Sequence, residues 1–302
     1  MAIARLTRYA PSPTGYLHLG HVAHMLYVWG TARACGAEVL LRMEDHDRGR
    51  CRPEFERALV EDLAWLGFQT VNTLDTVSDY RQSDCGARYK QALQQLKRAA
   101  HVYACTCTRR EIAARSASGD EGAWPYDGLC RSANHGWDSA ATRLQLETGT
   151  EIFVDGLLGE QRQEPSSQCG DLLLRDRTQQ WTYQFAVVVD DLSHGVDLIV
   201  RGEDLLSSTG RQIRLARLLG YEQSPLFLHH PLIRDQAGSK LSKKTAGGPI
   251  REMRRAGRSP NDVLGVAAHA VGLTDEDAPQ DREALLDRLA AQVLAKADWP
   301  RR

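Results

Sequence analysis

Apolar and polar positions along this chain switch between a helical period and short strand-like runs. Ala2 to Leu6 predicts a first strand, and the apolar-rich stretch Val22 to Ala34 predicts a helix. Glu38 to Met43 is mostly Val and Leu and reads as a buried parallel strand. Pro53 then opens a helix along which Phe55, Leu59, Leu63 and Leu66 recur at helical spacing, with Gly67 as its stop. Gln82-Ser83-Asp84 begins another, capped by Ser83, with Tyr89, Leu93 and Leu96 on one face.

Further along, Val102 to Cys107 is β-prone, and Ser116 to Gly122 is a small, polar loop. Between Ala141 and Arg175 short apolar runs alternate with polar turns, the pattern of a small antiparallel sheet. Trp181 to Val189 and Val196 to Val200 read as strands that resume the main sheet. Ser207-Ser208-Thr209 offers caps for a helix reaching Leu219-Gly220, and Phe227 to Ile233 supplies another strand. Helices follow Pro260, for example Leu285 to Leu294. The expected division is a first half of a nucleotide-binding fold at 1–84, an inserted subdomain at 85–177, a second half at 178–250 and a short helical region at 251–302.

A chain of 302 residues can bury a real core, and its formal net charge of −1 means that RNA contact must come from local basic patches. Arg251, Arg254, Arg255 and Arg258 are one such candidate, spaced as one face of a helix. Neither a membrane-length apolar run nor a signal-peptide pattern is found, so no membrane is expected and the expected location is cytoplasmic. There the seven cysteines are expected to be thiols or metal ligands. Cys105-x-Cys107 and Tyr126-x-x-x-Cys130 offer three thiolates suited to Zn²⁺, with Tyr126, His101, His135 or water as the fourth ligand. Cys35, Cys51, Cys85 and Cys169 are scattered and read as small buried hydrophobes.

The candidate chemistry begins between the first strand and helix, at Arg8-Tyr9-Ala10-Pro11-Ser12-Pro13-Thr14-Gly15-Tyr16-Leu17-His18-Leu19-Gly20-His21. Two prolines and a glycine force an irregular turn, and Gly15 and Gly20 let backbone approach a ligand. His18 and His21 share one side of the opening helical turn, where free N–H groups and the helix dipole favour phosphate. Far downstream, Lys240-Leu241-Ser242-Lys243-Lys244 lies between glycines, as a lysine loop over a nucleotide would. Glu44 stands at a strand end where a substrate ammonium could be met. Arg8 and Arg201 also end strands, and two guanidiniums suit a substrate with two carboxylates.

These two motifs resemble the HIGH and KMSKS signatures of class I aminoacyl-tRNA synthetases. The run from Arg8 to His21, Leu41-Arg42-Met43-Glu44-Asp45, Val189-Asp190-Asp191 and Arg201-Gly202-Glu203-Asp204-Leu205 resemble its glutamyl branch. The short chain and the cysteine pattern resemble the glutamyl-queuosine group within that branch. The resemblance implies an α/β fold, a Rossmann-like doubly wound parallel sheet with an inserted zinc-bearing acceptor-type subdomain and a short helical C-terminal region. It implies catalysis by His18, His21, Lys240 and Lys243, and ATP bound with Mg²⁺ by His18, Gly20, His21 and Lys243. Glutamate is then bound by Arg8, Ala10, Ser12, Glu44, Tyr183 and Arg201, and one structural Zn²⁺ by Cys105, Cys107, Tyr126 and Cys130. Four residues past Tyr183 the longer glutamyl enzymes commonly carry Asn; here stands Val187, with one polar contact fewer. The implied reaction is tRNA-independent activation of glutamate and its transfer to queuosine in the anticodon stem-loop of tRNA(Asp), by a monomer. The alternatives are a shortened glutamyl enzyme charging tRNA(Glu), a non-catalytic RNA-binding relative, and a nucleotidylyltransferase.

Overall fold

The computed structural model describes residues 3–46, 49–72, 80–99, 101–116, 124–233 and 248–299. Lys240 and Lys243 lie outside the described residues, as does most of the polar loop 116–122. The first part runs β1 (Leu6–Tyr9), α1 (Leu19–Cys35), β2 (Glu38–Leu41), α2 (Pro53–Leu66) and α3 (Gly86–Ala99). Then come β3 (Val102–Cys105), α4 (Arg109–Arg115), β4 (Ala141–Leu144), β5 (Glu151–Asp155), β6 (Gly159–Gln163), α5 (Pro165–Cys169) and β7 (Leu172–Arg175). The last part is α6 (Tyr183–His194), β8 (Leu198–Gly202), α7 (Thr209–Leu218), β9 (Leu226–His230), α8 (Ile250–Arg255), α9 (Pro260–Ala270) and α10 (Arg282–Lys296).

Parallel pairing joins β1 to β2 and β8 to β9. The N–H of Asp197 donates to Leu6 O, and Arg8 Nη1 donates to Val200 O, which sets β8 beside β1. Strand β5 pairs parallel with β9 and antiparallel with β6, so the sheet is mixed. Strands β3, β4 and β7 form a separate antiparallel sheet. The stretch 141–175 is therefore divided: β4 and β7 go to the small sheet, and the β5–β6 hairpin goes to the large one. The alternating pattern is the same in both, so it does not say which sheet a strand joins.

Two strand assignments move. The first strand is Leu6–Tyr9 rather than Ala2–Leu6, because Thr7, Arg8 and Tyr9 are polar in type yet buried. Trp181 to Val189 is not a strand: Tyr183–His194 is the helix α6, bracketed by Thr182 and Gly195. Its residues Phe185 to Asp191 are all buried, so a helical stripe is invisible in the sequence and the β-branched run Val187-Val188-Val189 suggests the wrong period. Before α3, Gln82–Asp84 forms a separate 3-10 turn, so Ser83 does not cap that helix.

Helix α1 sits at the centre, with α9 and α10 packed against it. Leu285, Leu286, Leu289 and Val293 of α10 are buried, and burying such a side chain contributes about 1.5–3 kcal/mol. Contact is tight at Gly30, where a Cβ would come within 2.7 Å of Leu289 Cδ2. Helix α10 is thus an integral layer of the domain.

Candidate functional site

The ends of β1, β2 and β8, the loop after β9 and the starts of α1 and α6 surround one cavity of about 500 Å³. Arg8, Ala10, Ser12, Glu44, Tyr183 and Arg201 all line it, together with His18, Gly20 and His21. Val187 is one helical turn from Tyr183 but lies in the apolar core, not on the cavity wall.

His18 is the N-cap of α1. Its Nδ1 accepts from the Gly20 N–H at 3.1 Å, while His21 Nδ1 accepts from the His18 N–H at 3.1 Å. Histidine rarely caps a helix; here two rings form a reciprocal pair, with centroids 4.0 Å apart. A ring nitrogen that accepts from an amide carries no proton, so each neutral ring holds its proton on Nε2. Both rings therefore keep a donor at Nε2 beside a helix start that already favours anions. Gly20 is required by this packing: a Cβ there would stand 2.9 Å from His18 Cε1.

Charge at the strand ends is balanced in a chain. Arg42 is fully buried and its guanidinium reaches Asp191 Oδ1 at 2.5 Å and Glu44 Oε1 at 2.9 Å. Arg8 Nε donates to the same Asp191 oxygen at 3.0 Å. Burial opposes ionisation of Asp191, but Arg42 and Arg8 outweigh it and hold the carboxyl below its usual range. Two cations thus share two carboxylates, and Glu44 and Arg8 at the cavity face can exchange partners with a substrate ammonium and carboxylate. Sequence alone assigns Arg42 and Asp191 no role; it emerges only from their paired burial in the fold.

Arg201 differs. Nη1 donates to Gln212 Oε1 at 2.6 Å, Nη2 to Thr209 Oγ1 at 2.7 Å and Nε to His229 Nε2 at 3.0 Å. All three acceptors are neutral, and among the described residues no carboxylate lies within ion-pair distance of it. Burial accordingly disfavours the charge of Arg201, with Tyr183 acting the other way. A buried cation held by neutral groups is set up to receive an anion.

A second constellation sits on the small sheet. The sulfurs of Cys105, Cys107 and Cys130 lie within 4.8 Å of one another. Tyr126 Oη is 3.4 Å from Cys105 Sγ and 3.7 Å from Cys107 Sγ, and Cys107 Sγ is 3.6 Å from Cys130 Sγ. Tetrahedral ligands about 2.3 Å from a zinc ion stand roughly 3.8 Å apart, so this donor set fits one. Burial resists ionisation of Cys130, but hydrogen bonds led by that with Tyr126 bring its pKa down to about 6, towards the thiolate a metal needs. His101 instead meets Gln145, and His135 meets Thr106.

The arginine stripe is shorter than its spacing implied. Helix α8 ends at Arg255, so Arg258 falls beyond it. Arg251 lies over the Tyr16 ring at 4.0 Å and Arg254 over Trp65 at 5.3 Å, beside Glu54, Glu61 and Asp62. Asp62 is 3% exposed and its Oδ2 has no hydrogen-bond partner among the described residues. Burial raises its pKa to about 6, against the pull of Arg254. An acid with a raised folded pKa binds its proton more tightly when folded, so stability is lost as pH rises from about 4 to about 6. Asp62→Asn should then be more stable than the parent at pH 7, by about 1–3 kcal/mol, and flatter across that window. Thermal unfolding at pH 5 and pH 7.5 checks this; an equal parent-to-variant difference at both would contradict it.

A family model described as tRNA synthetases class I (E and Q), catalytic domain, matches residues 5–274. A relative from Nitratidesulfovibrio vulgaris named Glutamyl-Q tRNA(Asp) synthetase is 39% identical over 301 residues, covering 95% of this chain and 92% of its own. One of the same name from Rhodobacter capsulatus is 37% identical, covering 85% of this chain and 98% of its own. The crystal structure of a glutamate-tRNA synthetase from Elizabethkingia anophelis superposes with a TM-score of 0.77 at 23% identity. This chain spans 97% of itself but only 66% of that longer protein, a likeness of fold alone. Matched over most of its length by the family model and by both bacterial relatives, the chain belongs to the class I tRNA synthetases of the E and Q type.

Proposed function

We propose that this chain adenylates glutamate without tRNA and transfers it to the queuosine in the anticodon of tRNA(Asp). The observation that carries the first half is the cavity itself, which Arg8, Glu44, Arg201, His18 and His21 line together. The names of the relatives support the second half.

Activation joins a glutamate α-carboxylate oxygen to the α-phosphorus of ATP and expels pyrophosphate. The protein needs no nucleophile for this; it aligns two anions and stabilises the charge that develops between them. Glu44 takes the ammonium and Arg8 the α-carboxylate, beside Ala10 and Ser12. Arg201 and Tyr183 take the side-chain carboxylate. Nε2–H groups of His18 and His21 donate to phosphate oxygens over Gly20. Lys240 and Lys243 neutralise the departing phosphates, which enter as the magnesium complex of ATP. In the second step a queuosine hydroxyl attacks the glutamyl carbonyl and AMP leaves.

The finer architecture belongs to the same reading. The order β2–β1–β8–β9–β5 supports a doubly wound parallel core carrying an inserted subdomain at 85–177. Cys105, Cys107, Tyr126 and Cys130 would hold one Zn²⁺, which cross-links that insertion and takes no part in the chemistry. Helices α9 and α10 pack on α1, and on this reading the RNA is recognised by the catalytic body of a monomer. Exchange of labelled pyrophosphate into ATP with glutamate, glutamine or aspartate, and no tRNA, tests the activation step. Exchange with glutamate alone is expected; equal turnover with glutamine would overturn the assignment.

A further inference from the structure

Behind Arg201 stand two buried groups to which the reaction above gives no part, His229 and Asp155. Parallel pairing sets Arg201 of β8 opposite His229 of β9. Strand β5 lies on the other side of β9, with Asp155 opposite Phe227. The three side chains form a row across three neighbouring strands, and their residues are only 3%, 0% and 1% exposed.

Among the described residues, each hydrogen bond of Asp155 is with an N–H. Its Oδ2 accepts from His229 Nδ1 at 2.6 Å and from the His229 backbone at 3.0 Å. Its Oδ1 accepts from the N–H groups of Leu157 at 3.0 Å and Leu158 at 3.1 Å. A carboxylate so surrounded is an acceptor only, so the ring proton of His229 sits on Nδ1 and Nε2 keeps its lone pair. That lone pair receives Arg201 Nε–H at 3.0 Å, and Thr209 Oγ1 lies 3.1 Å from it. The same hydroxyl oxygen accepts from Arg201 Nη2, closing a triangle around the guanidinium. With the other tautomer, or a protonated ring, two donors would face each other at Arg201. A carboxylate in place of the ring would pair with the guanidinium and compete with a substrate anion. A neutral ring of fixed tautomer does neither.

We propose that Asp155 and His229 are positioning residues for Arg201: the Asp155 carboxylate fixes the His229 tautomer, and the ring holds the guanidinium towards the cavity without spending its charge. The grip on a substrate side-chain carboxylate, and the rejection of a neutral amide there, depend on this pair. The inference rests on the glutamate reading of the cavity.

Four variants of the full chain test it. His229→Phe keeps a ring that can stack near Phe227 but removes both nitrogens. His229→Gln restores an acceptor close to the Nε2 position. Asp155→Asn replaces an acceptor by a donor facing Nδ1. Thr209→Val is isosteric and removes the shared hydroxyl. KM for glutamate and for ATP, kcat, use of glutamine and thermal midpoints are measured by pyrophosphate exchange and unfolding. His229→Phe and Asp155→Asn should raise the KM for glutamate about tenfold or more, as loss of a hydrogen bond to a charged group predicts. The KM for ATP should stay within about twofold, and the preference for glutamate over glutamine should narrow. His229→Gln should recover most of the loss. An unchanged KM for glutamate in folded His229→Phe would overturn the proposal, and so would a matching rise in the KM for ATP or no rescue by His229→Gln. If the larger changes prevent folding, Thr209→Val decides, with a severalfold rise expected and no rise contradicting. Absence of glutamate-dependent exchange in the parent protein would remove the reading of the cavity and this inference together. Exchange by the parent with His229→Phe unaffected would remove the inference alone.

Discussion

Arg201→Glu abolishes glutamate-dependent pyrophosphate exchange, with a loss of about a thousandfold or more. Unit charges about 4 Å apart at an effective dielectric near 20 interact by about 4 kcal/mol, so turning attraction into repulsion costs at least that much. The guanidinium is buried and held by the neutral acceptors Gln212, Thr209 and His229, so the substrate would meet the full reversal. Arg201→Gln, which keeps some hydrogen bonding but no charge, should lose ten- to a hundredfold, in line with about 1.5–3 kcal/mol for a charged hydrogen bond. Steady-state exchange with each variant, alongside a thermal midpoint to show that it folds, gives the comparison. Undiminished exchange by folded Arg201→Glu would place the side-chain carboxylate elsewhere.

Removal of the metal ligands is the second large effect. Cys105→Ser combined with Cys130→Ser should take zinc from one per chain to none. Binding free energies in isolated zinc peptides run to roughly 10–16 kcal/mol, so the local loop should unfold with the metal's loss. The buried cluster around it is small, comprising Tyr103, Cys105, Ile112, Tyr126, Cys130 and Ala141, and cannot replace that cross-link. Adenylate formation should survive far better than transfer to RNA, because these residues stand apart from the cavity between β1 and β8. Elemental analysis of purified protein, with limited proteolysis of the region 101–140, measures both. Full zinc content in the double variant would show that other residues hold the ion.

The site was legible in the sequence where its residues are local. His18, Gly20 and His21 sit within one helical turn, and their spacing alone predicts a shared face at a helix start. What the spacing did not reveal is the reciprocal capping that fixes both tautomers, since it depends on backbone geometry. Arg8, Glu44 and Arg201 were found as strand-end charges, whereas Arg42, Asp191, Asp155 and His229 were not given parts. Those four are buried and are brought together only by tertiary structure: β5, β9 and β8 pairing sets Asp155 and His229 beside Arg201, and the packing of α6 sets Asp191 against Arg8 and Arg42. Helix α6 was misread for a related reason: buried on every turn, it offers no polar face to betray its period. The arginine stripe is cut short by length, because the helix is only six residues long and ends through Ala256 into Gly257 in the left-handed region. Val187, read as a lost polar contact, proves to be a core residue one turn behind Tyr183.

Transfer to queuosine is the central claim, and acceptor labelling tests it most directly. The chain is incubated with ATP, labelled glutamate and tRNA from cells able or unable to make queuosine. Label should appear on tRNA(Asp) from the first preparation alone and stay attached when the 3′-terminal ribose has been oxidised beforehand with the queuosine diol protected. Equal labelling of both preparations, or labelling of tRNA(Glu) at its 3′ end, would contradict the account.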